Sequence, residues 1–442
     1  MRNFFKRSFD CSYFILAPAV LLTYFVPIRM RVGNFMVAPF LGIWLLWIMV
    51  KREKGPMLLT RKFVLAFVPL CLYYLLHAFL YGYHEWCALT LQKTTLDALL
   101  ILIYIYIMHY SLARGKYREL IFLNAIICFA LMYGSIAYHG IEIGSYRGHG
   151  GRETFEQTLD RLDMASSGVA NYGCIYGMVL ITVGMVRYLK YSPRKWWLLF
   201  LPVLMVFVSG IYRAAFSTAT MVTIVASGFV LFLNLIKVRG TKVHRFLIPF
   251  TVIFVLLVAF PSVLSPFAGL FNSLEELFPV ESDYAIRLGS IADALQGYKD
   301  TYAMQRAERY WGSLRTFCEN PIFGIRFYQI LFDEKFYAFV GGHSYFFDSF
   351  ATSGLILPTL LIIGIYNFHK YLKALYAYFG IDTQMTSVWM CPLWTMIIVA
   401  CINQLSHFEA HIIFYFMIPS IPFINYKYNF RKNGNERFGP IV

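Results

Sequence analysis

One histidine in this chain stands where a base would be useful. It belongs to Gly341-Gly342-His343-Ser344-Tyr345-Phe346-Phe347-Asp348, a stretch that opens an apolar run continuing through Ser353-Gly354. A neutral imidazole, titrating at about pH 6.5, suits the removal of a proton from a hydroxyl. Asp348, five residues on, is placed either to orient that ring or to cap the helix that follows. Upstream, Arg306 and Arg309 precede Tyr310 in Arg306-Ala-Glu-Arg309-Tyr310-Trp-Gly-Ser313. Arginine is always cationic and its planar fork matches phosphate oxygens two at a time. Many enzymes that stabilise a departing phosphate use a metal held by Asp-x-Asp, and this sequence contains no such motif. Arginine is the alternative, and no metal or other cofactor is expected.

A second polar group lies near the end of the chain: Ser406-His407-Phe408-Glu409-Ala410-His411. Two histidines four apart share a helix face, a spacing that can bind metal. Two histidines and one glutamate make a thin ligand set, so Glu409 reads instead as a lining residue of a reaction cavity. Polar side chains inside an apolar span mark either a functional interior or a helix contact.

The elements that must position these residues are membrane helices. Of 442 residues, 59% are hydrophobic and only 14% charged, and the mean hydropathy is +0.58. Those values lie outside the range of soluble domains. Apolar runs near 12–28, 35–50, 63–82, 96–111, 119–138, 168–187, 196–211, 215–236, 246–264, 344–367, 384–402 and 405–426 are each about long enough for a bilayer of roughly 30 Å. The backbone must satisfy itself in lipid, so these predict about twelve transmembrane helices in one all-α integral membrane domain over 1–442. No cleavable signal peptide is evident at the basic start.

The net charge of +15 does not point to nucleic acid, because the cations cluster between apolar runs. With the N-terminus in the cytoplasm, both ends and the loops near 51–62, 111–118, 187–195, 237–245 and 368–383 hold 25 Lys and Arg against 5 Asp and Glu. The opposite face holds the remaining 14 basic and 19 acidic residues. That asymmetry is the positive-inside pattern of a bacterial inner-membrane protein with both termini cytoplasmic. Eight cysteines show no metal spacing; Cys87 and Cys318 alone fall in exported loops.

Two exported loops are large. One, near 139–167, carries Arg147, Arg152 and Arg161; the other, near 265–343, adds Arg287, Arg306, Arg309, Arg315 and Arg326. Within the second, 286–318 shows apolar residues three or four apart, as an interfacial helix would, and Asn320-Pro-Ile-Phe-Gly324 is a turn. Most arginines in such loops contact solvent or lipid headgroups.

Taken in order, three pieces resemble the O-antigen polymerase and ligase superfamily of Wzy-type polymerases and WaaL-type ligases. The first is Ser209-Gly-Ile-Tyr-Arg213-Ala, similar to that family's Ser-Arg-Gly-like turn, although Tyr212 and Ala214 replace its usual Ser and Gly. The second is Arg306 to Tyr310 leading into Asn320-Pro-x-x-Gly324. The third is His343-Ser-Tyr-Phe-Phe, like the family's His-[Asn/Ser]-x-x-Leu segment. The resemblance implies a GT-C-like helical fold with part of the active site in the 265–343 loop. It implies transfer of a glycan from undecaprenyl pyrophosphate onto a lipid-linked repeat unit at the outer face. His343 would activate the acceptor, and Arg306 and Arg213 would hold pyrophosphate. Arg161, Arg152, Arg309, Tyr310, Asp348 and Glu409 would contact substrate. A ligase acting on lipid A–core is the near alternative, and a flippase for the lipid-linked unit the remoter one. Membrane lipids, a chain-length regulator and a flippase are the partners it implies.

Overall fold

The computed structural model describes residues 9–25, 34–51, 56–84, 88–137, 172–214, 217–259, 265–278, 283–298, 301–327, 340, 344–403, 405 and 407–426. Every element among them is helical. In chain order they are α1 (Tyr13–Tyr24), α2 (Val37–Lys51), α3 (Met57–His84), α4 (Ala88–Ala113), α5 (Tyr117–Ala137), α6 (Tyr172–Leu189), α7 (Arg194–Arg213), α8 (Ser217–Leu235) and α9 (His244–Ala259). Then follow α10 (Ala268–Glu275), α11 (Asp283–Leu295), α12 (Tyr302–Glu319), α13 (Tyr345–Ser353), α14 (Ile356–Tyr378), α15 (Ser387–Ile402) and α16 (Phe408–Ile412). Seven helical stretches are long and apolar enough to cross a membrane: those of α3 through α8 and Thr383–Ile402 at α15. The apolar helices of α1, α2, α9 and α16 are shorter. The chain is an all-α membrane protein. Faces such as Leu46, Val50, Leu198 and Met205 remain exposed, as expected of side chains whose solvent is lipid.

Helix α6 is the axis of the bundle, with every residue from Gly173 to Leu189 buried. Its glycines make that possible. A Cβ on Gly177 would overlap Ile413, and one on Gly184 would press on Pro392 at 3.3 Å. Small residues let helix backbones approach closely where no hydrophobic force drives them together. Gly364 of α14 serves the same end against Leu70 of α3, where an added Cβ would lie 2.6 Å from a Leu70 methyl.

Two apolar runs differ in detail from the sequence reading. The run near 344–367 is not one helix. It breaks at Gly354, whose φ of +58° only glycine adopts readily, into α13 and α14. The periodic stretch over 286–318 likewise divides at Gly297, φ +93°, into α11 and α12. The last apolar run continues from α16 through a π-helical turn, Ile413–Met417, into a 3₁₀ turn, Ile418–Phe423, because Pro419 and Pro422 cannot donate to an α-helical ladder.

Connectivity and hydrogen bonds define two ends of the bundle. At one, Arg187 is fully buried at the close of α6. Its Nε donates to Ser387 Oγ (3.0 Å), one terminal nitrogen to Asn234 Oδ1 (2.6 Å), and the other to Tyr191 Oη (3.1 Å) and the Val238 carbonyl (3.0 Å). One guanidinium thus joins the end of α6, the end of α8, the start of α15 and the turns between them. Nearby, Asp10 accepts from Lys116 Nζ (2.8 Å) and Lys51 Nζ (3.3 Å), tying the entry of α1 to α2 and α5. Burial pushes the Asp10 carboxyl up, but the hydrogen bonds from Lys116 and Ser12 more than reverse this and leave it below the ordinary carboxylate range.

At the other end, Gly210 of α7 packs on Ser135 of α5, and Ser135 Oγ reaches Met178 of α6 at 3.0 Å. These positions lie late in α5, early in α6 and late in α7, so neighbouring helices alternate in direction. Arg213 is therefore carried to the end where α6 begins, opposite Arg187.

Replacing Arg187 with Ala should lower stability by about 2–4 kcal/mol, from four lost hydrogen bonds of roughly 0.5–1 kcal/mol each. Arg187→Lys should recover only part of it. Thermal unfolding in detergent is the measurement, and an unchanged midpoint for the Ala variant would contradict the assignment.

Candidate functional site

The three sequence pieces were singled out by residue type, and two of them form one packed unit. Helix α12 starts at Thr301, whose Oγ1 accepts the Met304 N–H at 3.3 Å. Helix α13 starts at Ser344, whose Oγ accepts the Phe347 N–H at 3.2 Å. Asp348 then bridges the two helices. Its Oδ1 accepts from Ser313 Oγ on α12 (2.7 Å) and its Oδ2 from the Ser344 N–H (3.2 Å). Asp348 is almost fully buried, so both bonds are needed to hold its charge in the interior. Its described contacts make it a cap of α13 and a bridge to α12; the His343 ring lies outside the described residues.

Aromatic contacts extend the unit. Tyr310 stacks on Phe347 with centroids 5.4 Å apart, and Phe317 meets Phe350 edge-on at 5.3 Å. Below them the Asn320–Gly324 turn docks on the break between α13 and α14. The Leu355 N–H donates to the Pro321 carbonyl (2.9 Å) and the Ile322 carbonyl (3.2 Å). Gly324 and Gly354 face one another with φ of +66° and +58°. A Cβ on Gly324 would overlap the Gly354 nitrogen, and a Cβ on Gly354 would overlap the Ile322 carbonyl.

Arg306 lies one turn before Tyr310, half-buried, and its guanidinium hydrogen-bonds the Tyr310 hydroxyl. Burial pushes the Tyr310 phenol up, and the Arg306 charge pulls part of that rise back. Tyr310 Oη in turn donates to the Ile402 carbonyl at 3.3 Å, while Ser344 Oγ donates to the Ala400 carbonyl at 3.0 Å. Arg306, through Tyr310, and the residue following His343 are thus both moored to the last turn of α15. Arg309 is exposed on the same helix.

Arg213 closes α7 and is half-buried. It belongs to the wall formed by α5, α6 and α7, and what it shares with Arg306 is the end of the bundle. Glu409 enters that end from α16. Its carboxylate is buried against Gly173 at the start of α6, where a Cβ would overlap Oε2, and its carbonyl accepts from Tyr24 Oη at 3.0 Å. Asn403 reaches Tyr176 of α6 at 2.5 Å, and His407 stacks on Tyr172 at 5.8 Å. His407 and His411 do not converge on a common point. His411 Nε2 donates to the Leu405 carbonyl (2.8 Å), which leaves Nδ1 as the acceptor for Tyr74 Oη (2.9 Å). Both His411 nitrogens are thus engaged, and the described residues contain no group of three metal-binding side chains.

His343, Arg147, Arg152 and Arg161 lie outside the described residues, as does Cys87; the described cysteines are free thiols. No family model, curated protein or solved structure matches the chain. The site therefore rests on its own chemistry. At one end of the bundle it gathers two half-buried guanidinium groups, one buried carboxylate engaged in capping, a second at the start of α6, and a rim of Tyr and His rings. Sequence reasoning missed Ser313 and Asn403, whose roles depend on helices distant in the chain. The available signal was a small polar residue within an otherwise apolar helix face.

Gly324→Ala and Gly354→Ala should each destabilise the protein by about 2–4 kcal/mol, from the positive φ and the backbone overlap together. Limited proteolysis should then show faster cleavage near residues 320–327. Wild-type protease resistance in both variants would refute the docking of this turn.

Proposed function

We propose that this chain is a glycosyltransferase of the Wzy type, a polysaccharide polymerase. In this reading it crosses the bacterial inner membrane about twelve times with a GT-C-like arrangement, both termini lie in the cytoplasm, and the end that carries Arg213, Arg306 and Glu409 faces outward. The observation that carries the proposal is the packing of α12 on α13, which tethers Arg306 through Tyr310 and the residue after His343 to the same turn of α15. A cation moored to the same turn as the residue that follows His343 fits a reaction with an anionic leaving group and a hydroxyl acceptor. The charge pattern agrees, since Arg187, Lys116 and Lys51 gather at the opposite, basic end.

The chemistry follows from those groups. The glycosidic bond between the growing glycan and undecaprenyl pyrophosphate breaks, and its electron pair leaves with the diphosphate. Arg306 and Arg213 stabilise that charge as it develops, in a setting where water is scarce and such contacts are strong. The acceptor sugar hydroxyl forms the new bond to the anomeric carbon, and its proton passes to the His343 imidazole. Arg161, Arg152, Arg309 and Tyr310 line the donor and acceptor paths. The reading requires no nucleotide sugar and no metal.

His343→Ala and Arg306→Ala should each lower polymer formation by at least about 10²-fold in an assay with lipid-linked repeat units. A chelator should leave the wild type unaffected. Arg306→Lys should restore only part of the activity, because a point charge cannot grip two oxygens. Growth of the lipid-linked chain marks a polymerase, and transfer confined to lipid A–core marks the ligase. Variants that trap repeat units in the inner leaflet would replace the enzyme with a flippase.

A further inference from the structure

The end of the bundle that carries Arg187 holds a second group of cations that the proposed chemistry leaves unused. The turn before α9 is pressed on the turn before α15, so that a Cβ on Gly240 would overlap the Gln384 carbonyl. Helix α14 meets α15 at the same level, its Phe368 and His369 rings 5.5 and 6.1 Å from the Trp389 ring. His369 lies within electrostatic reach of His244, the first residue of α9, and of Lys373, one turn along its own helix. Lys242 and Arg245 flank His244 in the chain, and Lys370 follows His369. All four cations are exposed, whereas the two histidines are half-buried. Among the described residues none of the four is in an ion pair. Lys370 lies over the Tyr366 ring at 4.2 Å. Asp382, the nearest carboxylate to Lys373 in the sequence, is engaged in accepting the Gln384 N–H at 2.9 Å.

Orientation in a membrane asks only for a count of cations at one end. It does not ask that they converge from segments far apart in the chain, nor that their surroundings lack acids. Here 235–250 and 366–381 contain no Asp or Glu at all. Like charges gathered in this way raise the local potential and favour an anion. The apolar faces of the same two helices narrow the choice of anion. Ile248 and Val252 on α9, and Ile362 and Tyr366 on α14, are exposed. On both helices these residues follow the cations toward the middle of the bundle. A free phosphate makes no use of such faces. A phospholipid carries both parts, a phosphate for the cations and acyl chains for the apolar side chains.

We propose that α9 and α14 together bind an anionic phospholipid at this end of the bundle, its phosphate held by Lys242, Arg245, Lys370 and Lys373. Basic pockets between membrane helices are suited to such headgroups. The site is independent of the glycosyl-transfer reading and touches none of the residues assigned to it. A lipid held this way joins α9 to α14, two helices that otherwise meet through α15, and so adds stability in proportion to its occupancy.

The test uses the full-length protein in neutral detergent, with phosphatidylglycerol or phosphatidylcholine added in mixed micelles. Native mass spectrometry reads retained lipid, and thermal unfolding reads its effect. Phosphatidylglycerol should remain bound and raise the unfolding midpoint saturably, and phosphatidylcholine should do neither. Lys373→Gln and Arg245→Gln should each weaken the apparent affinity about fivefold, and the double variant by roughly 25-fold. Their midpoints without added lipid should stay close to that of the wild type, because both side chains are exposed. Lys195→Gln removes an exposed cation from the same end, on α7, which packs on α5, α6 and α8; it should leave the affinity unchanged. Equal binding of phosphatidylcholine, or an equal loss in Lys195→Gln, would reduce the cluster to general surface attraction and overturn the proposal. Displacement of the lipid by glycerol 1-phosphate at equal concentration would make the ligand a free phosphate, and the lipid assignment would fall. A dimer that persists without lipid and dissociates in the double variant would give this face to a second copy of the chain instead.

Discussion

A charge inside a helix bundle in lipid has no water to turn to, and Arg187 shows how this chain meets that constraint. Its guanidinium is fully buried, and its four described hydrogen bonds go to neutral oxygens: a serine, an amide, a phenol and a backbone carbonyl. Each partner lies on a different segment, so satisfying one cation fixes the relative height of α6, α8 and α15. Asn234 is held by the same arrangement, since its Nδ2 donates back to the Val186 carbonyl at 2.9 Å. The register set at this end carries along α6, whose glycine face admits α15 and α16 at close range. The opposite end of α6, with Gly173 against Glu409, is positioned by that same packing.

The end of the bundle opposite Arg187 solves the equivalent problem with carboxylate, hydroxyl and imidazole groups. Asp348 is held by Ser313 and by the N-terminus of the helix it lies on, where the helix dipole also favours negative charge. His411 is held between Tyr74 and Leu405. In both cases a polar side chain is bonded to a helix far away in sequence, Asp348 to Ser313 of α12 and His411 to Tyr74 of α3, so each bond joins two segments.

Much of this architecture is legible in the sequence because lipid imposes a coarse rule on composition. Each of the twelve apolar runs carries a helix among the described residues. The rule does not reveal where a helix breaks. Gly354 lies within an apolar run, and only its contact with Asn320–Gly324, some thirty residues earlier, makes its positive φ necessary. Nor does it reveal burial: Arg187 reads as one more cytoplasmic cation, and its burial follows from partners as far away as Ser387. At the candidate site, Arg306, Tyr310 and Asp348 were visible as residue types. The Ser313–Asp348 bond and the Tyr310–Phe347 stack were not, because side-chain pairing between helices leaves no local pattern.

The packing of α12 on α13 also changes what the sequence pieces mean. Asn320-Pro-x-x-Gly324 and Ser353-Gly354 form a backbone joint, and Asp348 with Ser313 and Ser344 forms a cap. A motif that joins Arg306 to His343 over nearly forty residues therefore has a mechanical part and a chemical part. In the proposed reading, the groups that act on a substrate lie outside the joint and the cap, among them the Arg306 guanidinium beside Tyr310 and Arg213 at the same end of the bundle. A leaving group with several negative charges needs more than one cation, and in that reading the two cations come from separately held helices: α12, tied to α13 by the joint and the cap, and α7, packed on α5 and α6.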